Sequence, residues 1–349
     1  MPRRKLIIPI TSPPLEQCAV PIRPSPFPIN SPEATKLKSV REHFDDDRLQ
    51  IAENEGKAPT RSLEDVERMF LSEEMMIRYL KATRWNVDNA VKRLESTLIW
   101  RRALGLYDVE ANAKELEPEF ASGKIAIIGY TRLSQPILYT WTARNATPAS
   151  FQQVKHIMFS MERTIDLQLA GVPYGLFSSN CPSARKAHYP ERLGGAGLLK
   201  MPWLGSLFVT LLWPFVDADT RRKIYVNPDL SKDLVAPDQL LDTYGGDIEF
   251  EWTTEYLPSL VEMCVRRRSE NLRRWKEKGG RVGLSEWDFL EHVGGDDSTR
   301  PSTQRTSTVD ERRDLVNDPT RPTSGVAASE HEKLSPPSSV TNTTDMTQL

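Results

Sequence analysis

Four ionisable or hydroxylated residues bracket an uncharged block. On its N-terminal side "HYPERLG" supplies Glu191 and Arg192, and on its C-terminal side "DADTRRK" supplies Thr220 and Lys223. Between them Trp203–Val216 runs fourteen residues without a charge, in a chain that is 27% charged. A carboxylate, a hydroxyl and an ammonium at the mouth of an apolar cavity can hold a polar head group while the cavity takes hydrocarbon. The same residues also fit a plainer reading, a Glu191 salt bridge and element caps, which composition alone favours. Read as a helix, the block spans about 21 Å, short of the roughly 30 Å hydrocarbon core of a bilayer. It can be buried or dip into a membrane, but it does not cross one.

Other chemistries find little support. No GxSxG elbow marks a hydrolase nucleophile. The five histidines, His43, His156, His188, His292 and His331, show no metal-ligand spacing. "LGGAGLLK", ending at Lys200, lacks both the GxGxxG and the GxxxxGK[ST] pattern, so tight strand packing explains its glycines better than a phosphate does. Cys18, Cys181 and Cys264 are odd in number and widely spaced, which points to a reducing compartment without structural disulfide or zinc. A net charge of -2 gives no global field for nucleic acid. The start "MPRRKLIIPI" is broken at Pro9 and does not read as a signal peptide. The expectation is a binding protein: no catalytic residues, no metal and no cofactor.

The elements that must position these residues follow from periodicity. Nine prolines in residues 1–32 predict an extended tail, and the Ser/Thr/Pro-rich end predicts another. Val87, Val91, Leu94 and Leu98 follow the spacing of one buried helical face, with Asn86 as cap, inside a helical stretch from Leu63 to Leu104. "KIAIIGY" and "PILYTW" predict a hairpin. Phe151–Leu167 returns to helical spacing through Val154, Ile157, Met158 and Met161; "KIYVN" reads as a strand and "PDQLLDTY" as a helix. A further helix, Leu257–Lys278, turns Val261, Val265, Leu272 and Trp275 inward. It carries Arg266, Arg267, Arg273, Arg274 and Lys276 as a basic face, which reads as solvated or as a contact for an anionic membrane. Alternating strands and helices predict an α/β class with a partly parallel sheet.

"MIRYLKATRWNVDNAVKRLESTLIWRR" resembles the N-terminal helical signature of the CRAL-TRIO lipid-binding family, and "HYPERLG…PWL…WPFVDADTRRKIYV…PDQLLDTYGGDIEF" resembles its lipid-binding core. The likeness covers about residues 70–255, and "VGLSEWD" beyond it is similar to the fungal pleiotropic-drug-resistance branch of phosphatidylinositol transfer proteins. The resemblance implies an α/β CRAL-TRIO-like fold with a helical N-terminal subdomain and a mixed β-sheet flanked by helices. It divides the chain into tails at 1–60 and 293–349, a helical subdomain at 61–112, a lipid-binding domain at 113–255 and a basic extension at 256–292.

The function it implies is carriage of one phospholipid, phosphatidylinositol, between membranes by a cytoplasmic protein that docks peripherally. Head-group contacts fall on Thr83, Arg84, Glu191, Thr220 and Lys223; the family usually has basic residues at the first two, and Thr83 departs from that. A gate helix falls on Trp203, Leu204, Leu207, Phe208, Leu211, Leu212, Trp213 and Phe215. One central strand is expected to be missing, because 168–187 is about half the expected length and holds no four-residue apolar run. That absence leaves a second reading open, a CRAL-TRIO protein with a damaged pocket that recruits a lipid-metabolising enzyme as partner.

Overall fold

Ser31 starts the first helix: its hydroxyl accepts from Ala34 N at 3.1 Å, and Pro32 follows where its missing N–H costs nothing. The computed structural model describes residues 4–6, 21–54, 59–172, 174–177, 188–190, 192–199 and 221–292, all within a unit running from Met1 to Thr306. Helix α1 (Pro32–Phe44) buries Leu37, Val40 and Phe44 against α3 (Glu73–Ala82) and α4 (Val87–Ala103). The expectation of a tail over 1–60 is corrected here. The dense run of prolines ends at Pro32, and the apolar residues beyond it have a core to enter. Asn86 caps α4 as expected, accepting from Asn89 N at 2.9 Å. Leu94 and Leu98 are sealed, while Val87 and Val91 sit at the rim of the same core.

After the short α2 (Asp65–Phe70) and these helices, α5 (Val109–Phe120) crosses the boundary expected at residue 112 and packs with α6 (Phe151–Asp166). The sheet lies beneath. Strand β1 (Arg4–Leu6) and the small pair β2 (Ile51–Ala52) and β3 (Thr60–Arg61) stand apart from it. The main sheet has the order β4 (Ile125–Tyr130), β5 (Pro136–Thr140), β6 (Tyr174–Phe177), β7 (Leu193–Leu198), β8 (Ile224–Val226). β4 and β5 form the expected antiparallel hairpin, and the remaining pairs are parallel. All six β4 residues are buried, as a strand covered on both faces requires. Gly129 in β4 has φ +69, and a Cβ there would lie 2.1 Å from Gln239 O, so the bulge at this point admits only glycine.

The missing central strand is the second correction. Tyr174–Phe177 occupies the middle of the sheet, pairing in parallel with β5 at Ile137–Tyr139 and with β7 at Leu193–Ala196. The ladder explains why side-chain pattern did not reveal it: four residues with a glycine among them suffice when neighbours on both sides satisfy the backbone groups. The ground for a damaged pocket goes with that expectation.

Beyond the sheet, "PDQLLDTY" forms two 3-10 turns, Pro237–Gln239 and Asp242–Tyr244, in place of the expected helix. Leu240 and Leu241 between them are extended, which lets both adjacent side chains reach the core. Strand β9 (Ile248–Phe250) pairs in parallel with β1. Helix α7 (Tyr256–Glu277) follows, and its Tyr256 hydroxyl accepts from Ile127 N at 2.6 Å and donates to Ile127 O at 3.1 Å, closing the free edge of β4. Arg267 leaves the expected basic face: it is buried, donates to Leu167 O at 3.0 Å and pairs with Glu291. Arg273, Arg274 and Lys276 are matched by Glu277, Glu270 and Asp65, the arrangement of a solvated face. The short α8 (Glu286–Phe289) is the last described element.

Phe44 is fully buried in the helical core, so Phe44→Ala is expected to cost about 3–5 kcal/mol in urea unfolding. A disordered tail over 1–60 would give no change.

Candidate functional site

The glycines of β7 bring two strands close. A Cβ on Gly195 would stand 3.1 Å from the Tyr225 ring, and Ala196 N donates to Lys223 O at 2.6 Å. The packing role expected for "LGGAGLLK" therefore fits, and the ladder holds Lys223 at the entry to β8, half-buried.

Thr83 closes α3. Its hydroxyl lies 2.9 Å from Tyr79 O and 3.1 Å from Leu80 O and Asn86 O, so the backbone occupies its proton. Arg84 and Trp85 then turn with φ +52 and +61, the left-handed region that costs non-glycine residues about 1–3 kcal/mol each. Trp85 N reaches Leu80 O at 2.6 Å, and its ring meets Phe27 edge-on at 5.7 Å. The anchored Trp85 fixes the turn and leaves Arg84 exposed beside it. Neither residue is Gly or Asn, so the sequence carries no signal of this turn. Glu191, Thr220 and the gate residues Trp203, Leu204, Leu207, Phe208, Leu211, Leu212, Trp213 and Phe215 lie outside the described residues.

Behind "HYPERLG" lies a buried polar network that sequence reading missed. Arg101 on α4 grips Glu162 on α6 with two bonds of 2.6 and 2.8 Å, and Tyr189 donates to the same carboxylate at 2.7 Å. Burial alone would raise the Glu162 carboxyl; the Arg101 charge and these hydrogen bonds bring it down to about 2. His188 stacks on Trp100 at 4.2 Å, with Nδ1 3.0 Å from Thr97 Oγ1. Arg192, also buried, donates to Gln168 Oε1 at 2.8 Å and lies 3.6 Å from Glu286. Burial, then the neighbouring Arg78, lower Arg192 to about 10. One signal for Glu162 was present: it falls four residues after Met158, on the buried face of α6.

Arg101, Glu162, Gln168, Tyr189, Arg192 and Glu286 share a cavity of about 110 Å³. Pockets for drug-sized ligands run to about 300–1,000 Å³, so this space is sized for water or a small ion and does not fit a phospholipid. Among the described residues no cluster of His, Cys, Asp or Glu suits a metal, and no helix is long and apolar enough to cross a membrane.

Residues 36–96 match the CRAL/TRIO N-terminal domain and residues 177–246 the CRAL/TRIO domain. The phosphatidylinositol transfer protein PDR17 of Saccharomyces cerevisiae is 31% identical over 295 residues, covering 75% of this chain and 84% of that protein. The chain belongs to the CRAL-TRIO family. A CRAL-TRIO domain-containing protein of Schizosaccharomyces pombe is 37% identical over 259 residues, 69% of this chain, and the chain spans 25% of that relative's length. The crystal structure of Sfh5 covers 66% of this chain and 91% of its own, at 16% identity and a TM-score of 0.42. The CRAL-TRIO N-terminal match opens inside α1, in agreement with the packing of that helix. The second CRAL-TRIO match takes in both β7 and β8.

Glu162→Gln is expected to cost about 3–5 kcal/mol at neutral pH, because it leaves Arg101 charged and buried. The Glu162 carboxyl is held below its ordinary 4.5, so its stabilisation is complete above that value and is lost as pH falls towards about 2. Urea unfolding of the wild type is therefore expected to weaken through this window, and the variant to show a shallower loss there.

Proposed function

We propose that this CRAL-TRIO protein binds one phosphatidylinositol molecule and carries it between membranes, working as a cytoplasmic protein that docks on membranes peripherally. The observation that carries this reading is the likeness, along most of both chains, to a named phosphatidylinositol transfer protein.

Elementary energetics favour a closed carrier. Around thirty CH₂ groups at about 0.8 kcal/mol each set well over 20 kcal/mol against exposing one diacyl lipid to water. The chains must be enclosed in transit and released only at a membrane. An uncharged cover, Trp203–Phe215, can rest on acyl chains in solution and enter the interface on docking, where a charged one would have to be desolvated each time. In this proposal Lys223 and Arg84 meet the phosphate with charge-assisted bonds, and Glu191 and Thr220 take inositol hydroxyls. Thr83 has its hydroxyl bound to backbone, so it contributes the turn that presents Arg84 rather than a donor of its own. Binding and release need no covalent chemistry, cofactor or metal.

Native mass spectrometry of the purified protein, followed by lipid identification, tests the proposal. One phosphatidylinositol per chain is expected, and a folded, lipid-free protein that takes up none from vesicles would overturn it. Lys223→Ala is expected to weaken phosphatidylinositol binding more than phosphatidylcholine binding; equal loss for both would refute the head-group assignment. Replacing Phe208 and Leu212 by Asp is expected to slow exchange between vesicles while unfolding stability holds, and unchanged exchange would remove the gate.

A further inference from the structure

The C-terminal segment is sewn to both halves of the molecule. Gly283 N donates to Leu71 O at 2.9 Å and Glu73 N to Leu284 O at 3.1 Å, so the segment runs along the start of α3. The Glu74 carboxylate accepts from Ser285 Oγ at 2.6 Å and from Glu286 N at 2.7 Å. At the other end Ala170 N donates to Glu291 O at 2.9 Å, and the Trp287 ring covers Gly171, where a Cβ would lie 2.2 Å from it. Ala170 and Gly171 lead into β6, the middle strand of the sheet.

Glu286 occupies the centre of this seam. Its carboxylate takes two 2.8 Å bonds from Arg78 and one of 3.0 Å from Ser72 Oγ, and faces Arg192 at 3.6 Å. Arg192 also donates to a neutral acceptor, the Gln168 amide oxygen, and feels the Glu162 carboxylate across the cavity. The partly buried Arg78 and the buried Arg192 are thus two cations held around one carboxylate. Arg192 follows Glu191 directly and precedes β7, and β7 in turn holds Lys223 through Ala196.

We propose that Glu286 is a positioning residue for the head-group end of the lipid site, acting through Arg192 and β7. The inference rests on the function proposed above and adds to it a residue some sixty positions beyond the last head-group contact in the chain. Its physical basis is charge balance. With the carboxylate neutralised, Arg78 still has Glu74 near it and Arg192 still has Glu162, but the two cations lose the one carboxylate that stands between them, and their mutual repulsion is strong where water is excluded. Arg78 is anchored on a helix, whereas Arg192 sits on the connection entering β7, so Arg192 is the one displaced. A shift there reaches Lys223 through the β7–β8 ladder.

The test compares full-length wild type with Glu286→Gln, Glu74→Gln and Arg192→Lys, using phosphatidylcholine vesicles with and without phosphatidylinositol and reading uptake of each lipid alongside thermal unfolding. Glu286→Gln is expected to reduce the preference for phosphatidylinositol over phosphatidylcholine by about tenfold, the equivalent of about 1.4 kcal/mol. Glu74→Gln breaks the same seam without touching Arg192, and is expected to lower the unfolding temperature while leaving the preference alone. Arg192→Lys keeps the charge but loses the fork, and is expected to follow Glu286→Gln.

An unchanged preference in Glu286→Gln, or an equal fall in Glu74→Gln, would overturn the proposal by reducing Glu286 to a structural tie. Should Glu286→Gln not fold, Arg192→Lys decides by the same ratio, and no change there overturns it. Wild type that takes up no phosphatidylinositol would sink the proposed function itself, an outcome distinct from a wild type that binds while the variants keep its preference.

Discussion

The buried pair of Arg101 and Glu162 is the interaction on which the arrangement depends. It joins α4 of the helical half to α6 of the sheet half, and Tyr189 brings the connection before β7 to the same carboxylate. Two charges removed from water gain nothing unless each is saturated, and here the carboxylate has three donors. The guanidinium also lies 4.3 Å over the Phe70 ring and donates to Tyr107 at 3.2 Å. Apolar contact alone would let α4 slide on α6 at little cost. A forked guanidinium bond does not, because its two donors fit one carboxylate plane in one register. The network thereby specifies where "HYPERLG" enters the sheet.

Glu286 repeats the device a short distance away, with Arg78 from the helical half and Arg192 from the sheet half. The two carboxylates and three arginines line a common cavity or touch groups that do, so buried polar groups form a substantial part of the contact between the halves. The two largest of the four apolar clusters follow this division, one gathering α1, α3 and α4 and the other the sheet with α6 and α7, while Trp100 of α4 and Met69 of α2 add apolar contact across it. Such an interface has a sharp preferred geometry and tolerates little loss of charge. That is a useful property where a binding site draws residues from both halves, as Arg84 and Lys223 require in the proposed carrier.

What the sequence revealed follows the range of each signal. The α4 face, its Asn86 cap, the β4–β5 hairpin and the strand at Ile224 were legible because period and turn chemistry act within a dozen residues. Helix α1 was hidden by prolines that stop at its first residue, and β6 by four residues whose order comes from neighbours on either side. Leu240 and Leu241 mimic a helical pair, yet reach the core from an extended backbone. Thr83 and Arg84 came only from motif resemblance, since the left-handed turn at Arg84 has no glycine to announce it, whereas Lys223 was also marked by its place beside the uncharged block. Arg78, Arg192 and Glu286 are spelled like surface charges, and only their burial, partial for Arg78, and mutual bonding distinguish them.

The short central strand and the long C-terminal seam belong together. A strand of four residues offers three registered partners to β5 and as many to β7, enough to satisfy its ladder but little to fix its position along the strand direction. Its neighbour β7 holds two adjacent glycines, which weaken register further. Fixing must come from the strand entries. Gly171 lies under Trp287 and Ala170 is bonded to Glu291, which locates the chain just before β6. Arg192, held by Gln168 and Glu286, locates the chain just before β7. Gln168 itself lies on the segment that leads to β6, so its bond to Arg192 sets the two strand entries against each other directly. A sheet too short at its centre to specify its own register is thus registered from outside, by a segment that lies well beyond the last strand.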